Sequence, residues 1–289
     1  MKSFTYYNPT RIVFGRDCVK ESLQGELANY GKRVLLTYGG GSIKKNGIYQ
    51  TVMDVLQQAG KEVVELSGIM SNPRTTKVRE GIQLCREYKI DFILAVGGGS
   101  VIDCTKFIAG GAKLPKEVDF WQTFFLDHQI VTEAIPFGVV LTMAATGSEM
   151  NNGGVITDWD TQKKLSGYGP ALFPQFSMLD PTYTYTLPRK QVAYGIVDML
   201  SHLLEQYMST PDDDNVTDSA IEGIFKNILR NGRRSMEELE DYEARSNIMW
   251  GATLALNRSL GLGKRQDWMT HALEHALSAF YDIPHGLDA

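Results

Sequence analysis

The stretch DFILAVGGGSVIDCTKFIAG, residues 91–110, joins an apolar run to a helical pattern through successive glycines. Its first part has the length and composition of a strand buried on both faces, and its last part has helical periodicity. The turn between them consists of Gly97, Gly98, Gly99 and Ser100. Such a turn lets a backbone approach a pyrophosphate at the amino end of a helix, but a tight turn that binds nothing uses the same residues.

The same alternation of short apolar runs and helical patterns extends on both sides of this stretch. RVLLTY at 33–38, KEVVEL at 61–66 and AIPFGVVL at 134–141 are typical of strands, with helical segments between the earlier ones. Alternation of this kind predicts βαβ crossovers, a parallel sheet and helices on both of its faces. Residues 142–164 are rich in Gly, Thr and Asn, which predicts a ligand-binding loop with a short hairpin at the carboxyl edge of the sheet.

The pattern changes after Pro188, where β-like runs end. Four helices are predicted in the remaining third of the chain, over 189–208, 215–235, 240–257 and 268–281. We therefore expect an α/β Rossmann-like domain over residues 1–187 and an all-α domain over residues 188–289.

A second glycine cluster follows the strand predicted at 33–38. It consists of Gly39, Gly40, Gly41 and Ser42. Dinucleotide folds often place an acidic residue here against the adenosine ribose, and this cluster has none. Lys44 and Lys45 follow instead, which favours NADP(H) over NAD(H), although both lysines could simply form an exposed helix face.

Composition and charge exclude several classes of protein. The formal net charge of −5 argues against nucleic-acid or anionic-membrane partners, which call for clustered Lys and Arg. The three cysteines, Cys18, Cys85 and Cys104, form no CxxC pair and are expected to be reduced thiols. The sequence shows no signal peptide and no run of about 20 apolar residues, so we expect a cytoplasmic protein.

Acidic and histidine side chains in the second half suggest a metal site. Asp198 and His202 are four residues apart, so on a helix they share one face. His271, His275 and His285 crowd near the end of the sequence. One carboxylate with two or three imidazoles suits Fe(II) or Zn(II), and His275, one turn after His271, could relay a proton. Ordinary surface or core histidines remain the alternative.

Together these motifs resemble those of the iron-containing (group III) alcohol dehydrogenases, and more narrowly the branch of butanol dehydrogenases and NADPH-dependent aldehyde reductases. The resemblance covers essentially the whole chain. It is carried in order by NPTRIVFG, TYGGGSIKKNG, NPR, AVGGGSVIDCTKFIA, TMAATGSEMNNGGVIT, LDPTYTYTLPRKQVAYGIVDMLSHLLEQY, IMWGATLALN and DWMTHALEHALSAFYDIPHG. It implies an architecture like that of dehydroquinate synthase.

The resemblance also implies roles for particular residues. Iron would be bound by Asp198, His202, His271 and His285, and His275 would transfer a proton or position the substrate. Gly97, Gly98, Gly99, Ser100 and Asp103 would contact the pyrophosphate and ribose. The loop along the cofactor would contribute Thr142, Thr146, Ser148 and Asn151. Lys164 would reach the cofactor's ribose, and Gly40, Gly41 and Ser42 would fit the adenosine end of NADP(H).

The family pattern continues with further helices after the PHG motif, whereas this sequence ends at Ala289, so we expect an incomplete helical domain. Dimers are usual in proteins that look like this one. The alternating segment SFTYYNPTRIVF, residues 3–14, is a candidate edge for pairing two subunits into a homodimer.

The expected reaction is hydride transfer between NAD(P)H and short aldehydes or primary alcohols. Trp268, Met269 and Phe280 are candidate apolar contacts for the substrate, although helix packing would explain them equally well. Two alternatives remain open. One is a zinc lyase like dehydroquinate synthase, which would need a cationic pocket; the other is a non-catalytic homologue that only binds the nucleotide.

Overall fold

The computed structural model of the chain describes residues 1–208 and 215–283. Its strands are β1 (Arg11–Phe14), β2 (Arg33–Tyr38), β3 (Glu62–Leu66), β4 (Phe92–Gly97), β5 (Phe137–Leu141), β6 (Gly153–Asp158), β7 (Lys163–Tyr168) and β8 (Phe176–Leu179). Its helices are α1 (Cys18–Leu27), α2 (Ser42–Lys45), α3 (Ile48–Gln58), α4 (Thr75–Glu87), α5 (Gly99–Gly111), α6 (Arg189–Tyr207), α7 (Val216–Glu237), α8 (Tyr242–Leu256) and α9 (Met269–Tyr281).

Six strands form one parallel sheet in the order β1-β8-β5-β4-β2-β3. β4 lies inside the sheet, and all of its residues are buried. That burial explains why its sequence is continuously apolar rather than alternating. The Rossmann-like fold class that the sequence predicts is confirmed, and the all-helical part after β8 is confirmed with it.

The hydrophobic core of the α/β part has two layers, one on each face of the sheet. Successive residues of β4 alternate between them: Ile93 packs with α4 and α5, whereas Leu94 packs with α1 and α3. This period of two follows from the pleat of a strand, which turns neighbouring side chains to opposite faces. The sheet is therefore rigidly held from both sides, and its carboxyl edge is a stable platform for a site.

β6 and β7 form a separate antiparallel hairpin within the loop region that follows β5. The hairpin packs against α5 on one side, and β7 packs against α9 on the other. It therefore connects the α/β part to the last described helix.

Helices α6, α7 and α8 pack on one another around a third hydrophobic core. Met199 and Leu203 contribute to it from α6, Ile228 from α7 and Ile248 from α8. Within the residues that the structure describes, no helix is both long and apolar enough to cross a bilayer.

All three cysteines are buried thiols without a disulfide, and all lie in the α/β part. Burial raises the pKa of Cys18 and of Cys85 to about 12, and it also raises the pKa of Cys104. A thiol in an apolar environment is disfavoured as the charged thiolate, so these cysteines are chemically inert in the folded protein.

Candidate metal centre and coenzyme cleft

A cavity of about 330 Å³ lies between the carboxyl edge of the sheet and the helical part. Gly99 and Ser100, at the amino end of α5, line it from the sheet side. His202 and His271 line it from α6 and α9. The glycine turn and the histidine helices, which the sequence singled out separately, therefore open onto one shared space.

Three buried side chains meet at the helical wall of this cavity: Asp198, His202 and His271. One ligand-type atom from each lies within 4.8 Å of the corresponding atoms of the other two. Nε2 of His202 is 3.5 Å from Oδ1 of Asp198, and Nε2 of His271 is 3.7 Å from the same oxygen. The two imidazole rings are stacked with their centroids 4.7 Å apart.

The donor chemistry of this cluster fits a divalent transition metal. Imidazole nitrogen together with carboxylate oxygen suits Fe(II) and Zn(II), and the donors are close enough to share one small cation. Burial makes an isolated carboxylate costly, and a cation shared with Asp198 would offset that cost. The four-residue spacing of Asp198 and His202 on α6 explains how one helix supplies two of the three donors.

His285, the fourth predicted ligand, lies outside the described residues, so its role stays a prediction. The chain that leads to it is anchored at Ile283. The carbonyl oxygen of Ile283 accepts hydrogen bonds from Nδ2 of Asn72 at 3.0 Å and from Oγ of Ser278 at 2.8 Å. Asn72 also lines the cavity, so the NPR motif holds the end of α9 against the cleft.

Glu205 is a candidate site residue that the sequence interpretation missed. It is buried on α6, and its Oε1 accepts a 2.9 Å hydrogen bond from the backbone N–H of His271. The same oxygen lies 3.3 Å from Nδ1 of His271. A carboxylate behind a histidine ligand fixes which ring nitrogen is protonated and turns the other toward the metal. Glu205 lies three residues after His202 and therefore on the same helical face. This spacing in the sequence could have identified it as a candidate site residue.

His275 lies one turn after His271 on α9 and lines the cavity. Its Nε2 is 3.5 Å from Oε2 of Glu274, which is buried. The other oxygen of Glu274 accepts a 2.7 Å hydrogen bond from Nζ of Lys164, which also donates to Oγ of Ser278 at 3.0 Å. Lys164 also lines the cavity, so the residue predicted to reach the cofactor's ribose stands beside the predicted proton-transfer residue.

Asp103 lines the cavity from α5, and its carboxylate is held by the 142–151 loop and the hairpin. Oγ of Ser148 donates to one of its oxygens at 2.6 Å, and the backbone N–H of Val155 donates to the other at 2.8 Å. Gly154 passes close by, since a Cβ there would lie 3.0 Å from the Asp103 carboxyl carbon. The predicted ribose-binding residue is thus fixed between α5, the 142–151 loop and β6.

Lys106 is a second residue that the sequence interpretation missed. It is fully buried on α5, and its Nζ donates to Oγ of Ser148, Oδ1 of Asn151 and the carbonyl oxygen of Gly153 at 2.7–2.9 Å. Burial lowers the pKa of Lys106 to about 7, while the negative charge of Asp103 acts in the opposite direction. The side chain thus joins the 142–151 loop, which is predicted to lie along the cofactor, to the helix that follows the glycine turn.

The predicted cofactor residues fall into two groups. Those that line the cavity are Gly99, Ser100, Asp103, Thr146, Ser148, Asn151 and Lys164. Those placed outside its lining are Gly40, Gly41, Ser42, Gly97, Gly98 and Thr142. A Cβ on Gly99 would lie 2.4 Å from Oγ1 of Thr146, so glycine is required there for the close approach of the 142–151 loop.

The predicted adenosine end lies at the far end of β2, where Gly41 has a φ of +110° and precedes α2. Nζ of Lys44 lies over the ring of Tyr49 at 4.5 Å and is 3.8 Å from Oε2 of Glu65. Glu65 also accepts hydrogen bonds from the hydroxyls of Tyr38 and Tyr49. The charge of Lys44 is therefore partly balanced by an acid from the neighbouring strand β3, which the sequence interpretation did not anticipate.

The chain belongs to the iron-containing alcohol dehydrogenases. The family model "Iron-containing alcohol dehydrogenase" matches residues 9–181, and the model "Fe-containing alcohol dehydrogenase family, C-terminal" matches residues 192–288. The resemblance inferred from the motifs is thereby confirmed. The family shares the dehydroquinate synthase-like architecture, as the sequence interpretation expected.

Similar proteins are known from several bacteria. The probable NADH-dependent butanol dehydrogenase 1 of Bacillus subtilis is 50% identical over 285 residues, which is 99% of this chain and 73% of that protein. The NADPH-dependent aldehyde reductase YqhD of Escherichia coli is 44% identical over 285 residues, with the same coverage. The crystal structure of NADH-dependent butanol dehydrogenase A from Thermotoga maritima superposes with a TM-score of 0.95 at 42% identity, covering all of this chain and 72% of that one.

Proposed function

We propose that this chain catalyses reversible hydride transfer between a nicotinamide coenzyme and short aliphatic aldehydes or primary alcohols, with iron at Asp198, His202 and His271. One observation supports this most strongly: His202 and His271 of the three-residue cluster line the same cavity as Gly99 and Ser100 of the glycine turn. Similar proteins named butanol dehydrogenase and aldehyde reductase support the same reaction.

The proposed reaction needs contributions from the metal ion, from the coenzyme and from the side chains of the protein. A divalent cation held by Asp198, His202 and His271 would supply Lewis acidity toward a carbonyl oxygen, and a bound reduced nicotinamide would supply hydride to the carbonyl carbon. The chain's own residues orient these groups and handle the proton. In this proposal Nε2 of His275 supplies the proton that the product oxygen requires, directly or through one water; its position in the cavity lining supports this role. Oε2 of Glu274 lies 3.5 Å from the same nitrogen.

The residues around the cluster also limit access of water. Trp268 and Leu256 line the cavity, and the indole ring of Trp268 packs 5.4 Å from the imidazole of His271, edge to face. Apolar side chains at this position strengthen electrostatic interactions within the cleft and accommodate an aliphatic substrate. Phe280 and Met269 are exposed outside the cavity lining, so Trp268 is the one of the three predicted apolar contacts that reaches it.

A preference for NADP(H) over NAD(H) stays a prediction. No carboxylate lies within Gly40–Ser42 to repel a 2′-phosphate, and Lys45 is exposed nearby. The interaction of Lys44 with Glu65 weakens the prediction, because it reduces the charge available to a phosphate. Comparing kcat/KM for NADPH and NADH tests it, and Lys45→Ala should lower the value for NADPH selectively.

We also keep the prediction of a homodimer formed through the segment 3–14. Within the described chain, β1 pairs with β8 alone and occupies an edge of the sheet. Light scattering after size-exclusion chromatography measures the oligomeric state directly. A cytoplasmic location is a further prediction, supported by the three unpaired thiols.

The decisive experiment loads the purified protein with Fe(II) without oxygen and follows the absorbance of reduced coenzyme with butanal. We expect turnover in the natural protein and its loss in His271→Ala. His128→Asn is the matched control, because His128 is an exposed histidine away from the cleft. Unchanged coenzyme absorbance with butanal and other short aldehydes would refute the proposal, and substoichiometric metal with intact coenzyme binding would favour the non-catalytic alternative.

The zinc lyase alternative has little support. It requires a cluster of cations for a phosphorylated acid, yet among the described residues the lysines and arginines that line the cavity are Lys164 and Arg258. Lys164 is already paired with Glu274. Calorimetric titration with an anionic sugar phosphate, compared with butanal, separates the two reactions.

A further inference from the structure

Arg258 lies in the segment that follows α8 and lines the cavity. Its φ is +71°, in the left-handed region that favours glycine. An arginine in this conformation is strained relative to glycine, because its Cβ crowds the backbone there. Asn257 shapes the turn, since its Oδ1 accepts a 3.0 Å hydrogen bond from the backbone N–H of Ser259. The turn itself therefore does not require arginine, and strain of this kind at a cavity wall indicates a function for the side chain.

The guanidinium of Arg258 has no ion pair or hydrogen bond with any residue of 1–208 or 215–283. The residue is exposed, yet the surrounding protein desolvates the guanidinium enough to lower its pKa, against the opposing effect of Tyr168. Its positive charge also lowers the pKa of Lys106. A cation that is partly removed from water and lacks a counter-ion attracts an anionic ligand.

The position of this cation favours the substrate over the coenzyme as the source of that anion. Nη2 of Arg258 is 3.4 Å from where a Cβ on Gly153 would lie, at the start of the hairpin. Leu256 and Trp268, from the same helical part as the metal cluster, line the cavity beside it. The amino end of α5 at Gly99 offers the coenzyme pyrophosphate a separate anion site.

We propose that Arg258 is a specificity-determining residue that selects short aldehydes carrying a carboxylate at the end opposite the aldehyde. This inference rests on the proposed hydride transfer. The carboxylate would form charge-assisted hydrogen bonds with the guanidinium while the aldehyde faces the metal cluster. The reaction is otherwise unchanged: hydride from the reduced coenzyme and one proton convert the aldehyde to an alcohol, and the carboxylate takes no part.

The test compares two four-carbon aldehydes, succinic semialdehyde and butanal, on the iron-loaded protein. The natural protein should show the higher kcat/KM with succinic semialdehyde. Arg258→Gln and Arg258→Gly should lower the ratio of the two values about 10- to 100-fold, the range expected for lost hydrogen bonds to a charged group. Arg258→Lys should retain part of the preference. Arg258→Gly should also fold well, because glycine accepts the positive φ.

Arg265→Gln is the matched control, because Arg265 is exposed in the same inter-helix segment and lies outside the cavity lining. It should leave the substrate ratio unchanged. A ratio that is equally unaffected in Arg258→Gln would overturn the inference. A rise in the KM of the coenzyme with no change in the substrate ratio would also overturn it, and would assign the guanidinium to the coenzyme pyrophosphate.

A binding measurement separates this inference from the proposed function. Succinate, which carries the carboxylate but no aldehyde, should raise the melting temperature of the natural protein and fail to do so with Arg258→Gly. If neither aldehyde is reduced but succinate protects in this Arg258-dependent way, the proposed function fails and the anion site stands. If butanal is reduced and succinate has no effect on the melting temperature, the proposed function stands and the anion site at Arg258 fails.

Discussion

Glu205 is a carboxylate that lies behind the proposed metal centre without belonging to the three-residue cluster. Its Oε1 is hydrogen-bonded to the backbone of His271 and approaches Nδ1 of the same residue. We expect Glu205→Gln to weaken Fe(II) binding about 10- to 100-fold, the usual effect of removing such an orienting group. Competition against a chelator of known affinity measures this without reference to activity.

The control for that measurement is Glu21→Gln, which removes an equal charge from the exposed face of α1, far from the cleft. It should leave the metal affinity unchanged. Equal affinities in Glu205→Gln and the natural protein would show that backbone geometry alone orients His271.

At this scale the sequence predicted some site residues and missed others for a clear reason. Asp198 and His202 are visible because four-residue spacing on one helix is a local pattern. Glu274 is adjacent to His275, yet its importance depends on Lys164, which lies 110 positions earlier in the chain. Lys106 likewise acts on a loop more than 40 positions away. Contacts between distant positions depend on packing, which periodicity does not describe.

At the scale of single elements, α8 depends on a cap at its amino end. Oδ1 of Asp241 accepts a 3.0 Å hydrogen bond from the backbone N–H of Ala244, and its Oδ2 accepts a 2.7 Å hydrogen bond from Arg234. These contacts, the backbone bond first, lower the pKa of Asp241 below its usual 3.8. The ionised carboxylate therefore stabilises the fold above that value, and its contribution is lost as the pH falls through the folded pKa.

We expect Asp241→Ala to lower the free energy of unfolding by about 1 kcal/mol at neutral pH, the usual value of such a cap. Urea unfolding of both proteins over a range of pH measures it, and the difference between them should shrink in strong acid. Asp241→Asn keeps a capping oxygen, so it should lower the free energy of unfolding by less than Asp241→Ala does. A difference that is constant over the whole pH range would show that the charge has no role.

A buried ion pair joins the hairpin to α9. Lys164 and Glu274 are 2.7 Å apart, and their side chains are 4% and 0% exposed. Lys164→Met should cost about 3–5 kcal/mol of unfolding free energy, because it leaves a buried carboxylate without its cation. Lys164→Met combined with Glu274→Leu should cost less than the single change, since the apolar pair carries no unbalanced charge.

The single and double substitutions of Lys164 and Glu274 form a double-mutant cycle. A second ion pair, Lys226 and Glu222 on α7, serves for comparison, because its members are 3.7 Å apart and largely exposed. Removing Lys226 should cost at most about 0.5 kcal/mol, as is usual for surface pairs. Denaturant unfolding measures all of these variants. Additive effects of the Lys164 and Glu274 changes would contradict a coupled pair.

At the scale of the whole molecule, metal binding should stabilise the folded chain because the cluster joins α6 to α9. Free Fe(II) at about 100 times its Kd adds about 2.7 kcal/mol to the free energy of unfolding. Anaerobic thermal unfolding should therefore show a higher melting temperature with Fe(II), and a chelator should reverse it. His271→Ala should abolish the shift, whereas His128→Asn should retain it; equal shifts in both variants would place the ion elsewhere.

Much of the fold could be predicted, because strand and helix periods are local. The run at 33–38 became β2 and the pattern at 189–208 became α6. The order of strands in the sheet could not, because it depends on pairing across long stretches of chain. β1 lies within the alternating segment 3–14, but it pairs in parallel with β8, whose partner residues lie 165 positions later and which was not predicted as a strand.

The distribution of thiols gives this molecule a built-in reporter of how it opens. All three cysteines belong to the α/β part, on α1, α4 and α5, and their raised pKa values keep them nearly unreactive while that part stays closed. A thiol-labelling reagent should therefore modify the chain only as fast as that part unfolds. Since no cysteine follows Cys104 in this sequence, opening of the helical part alone does not lead to labelling. Labelling therefore distinguishes opening of the α/β part from opening of the helical part.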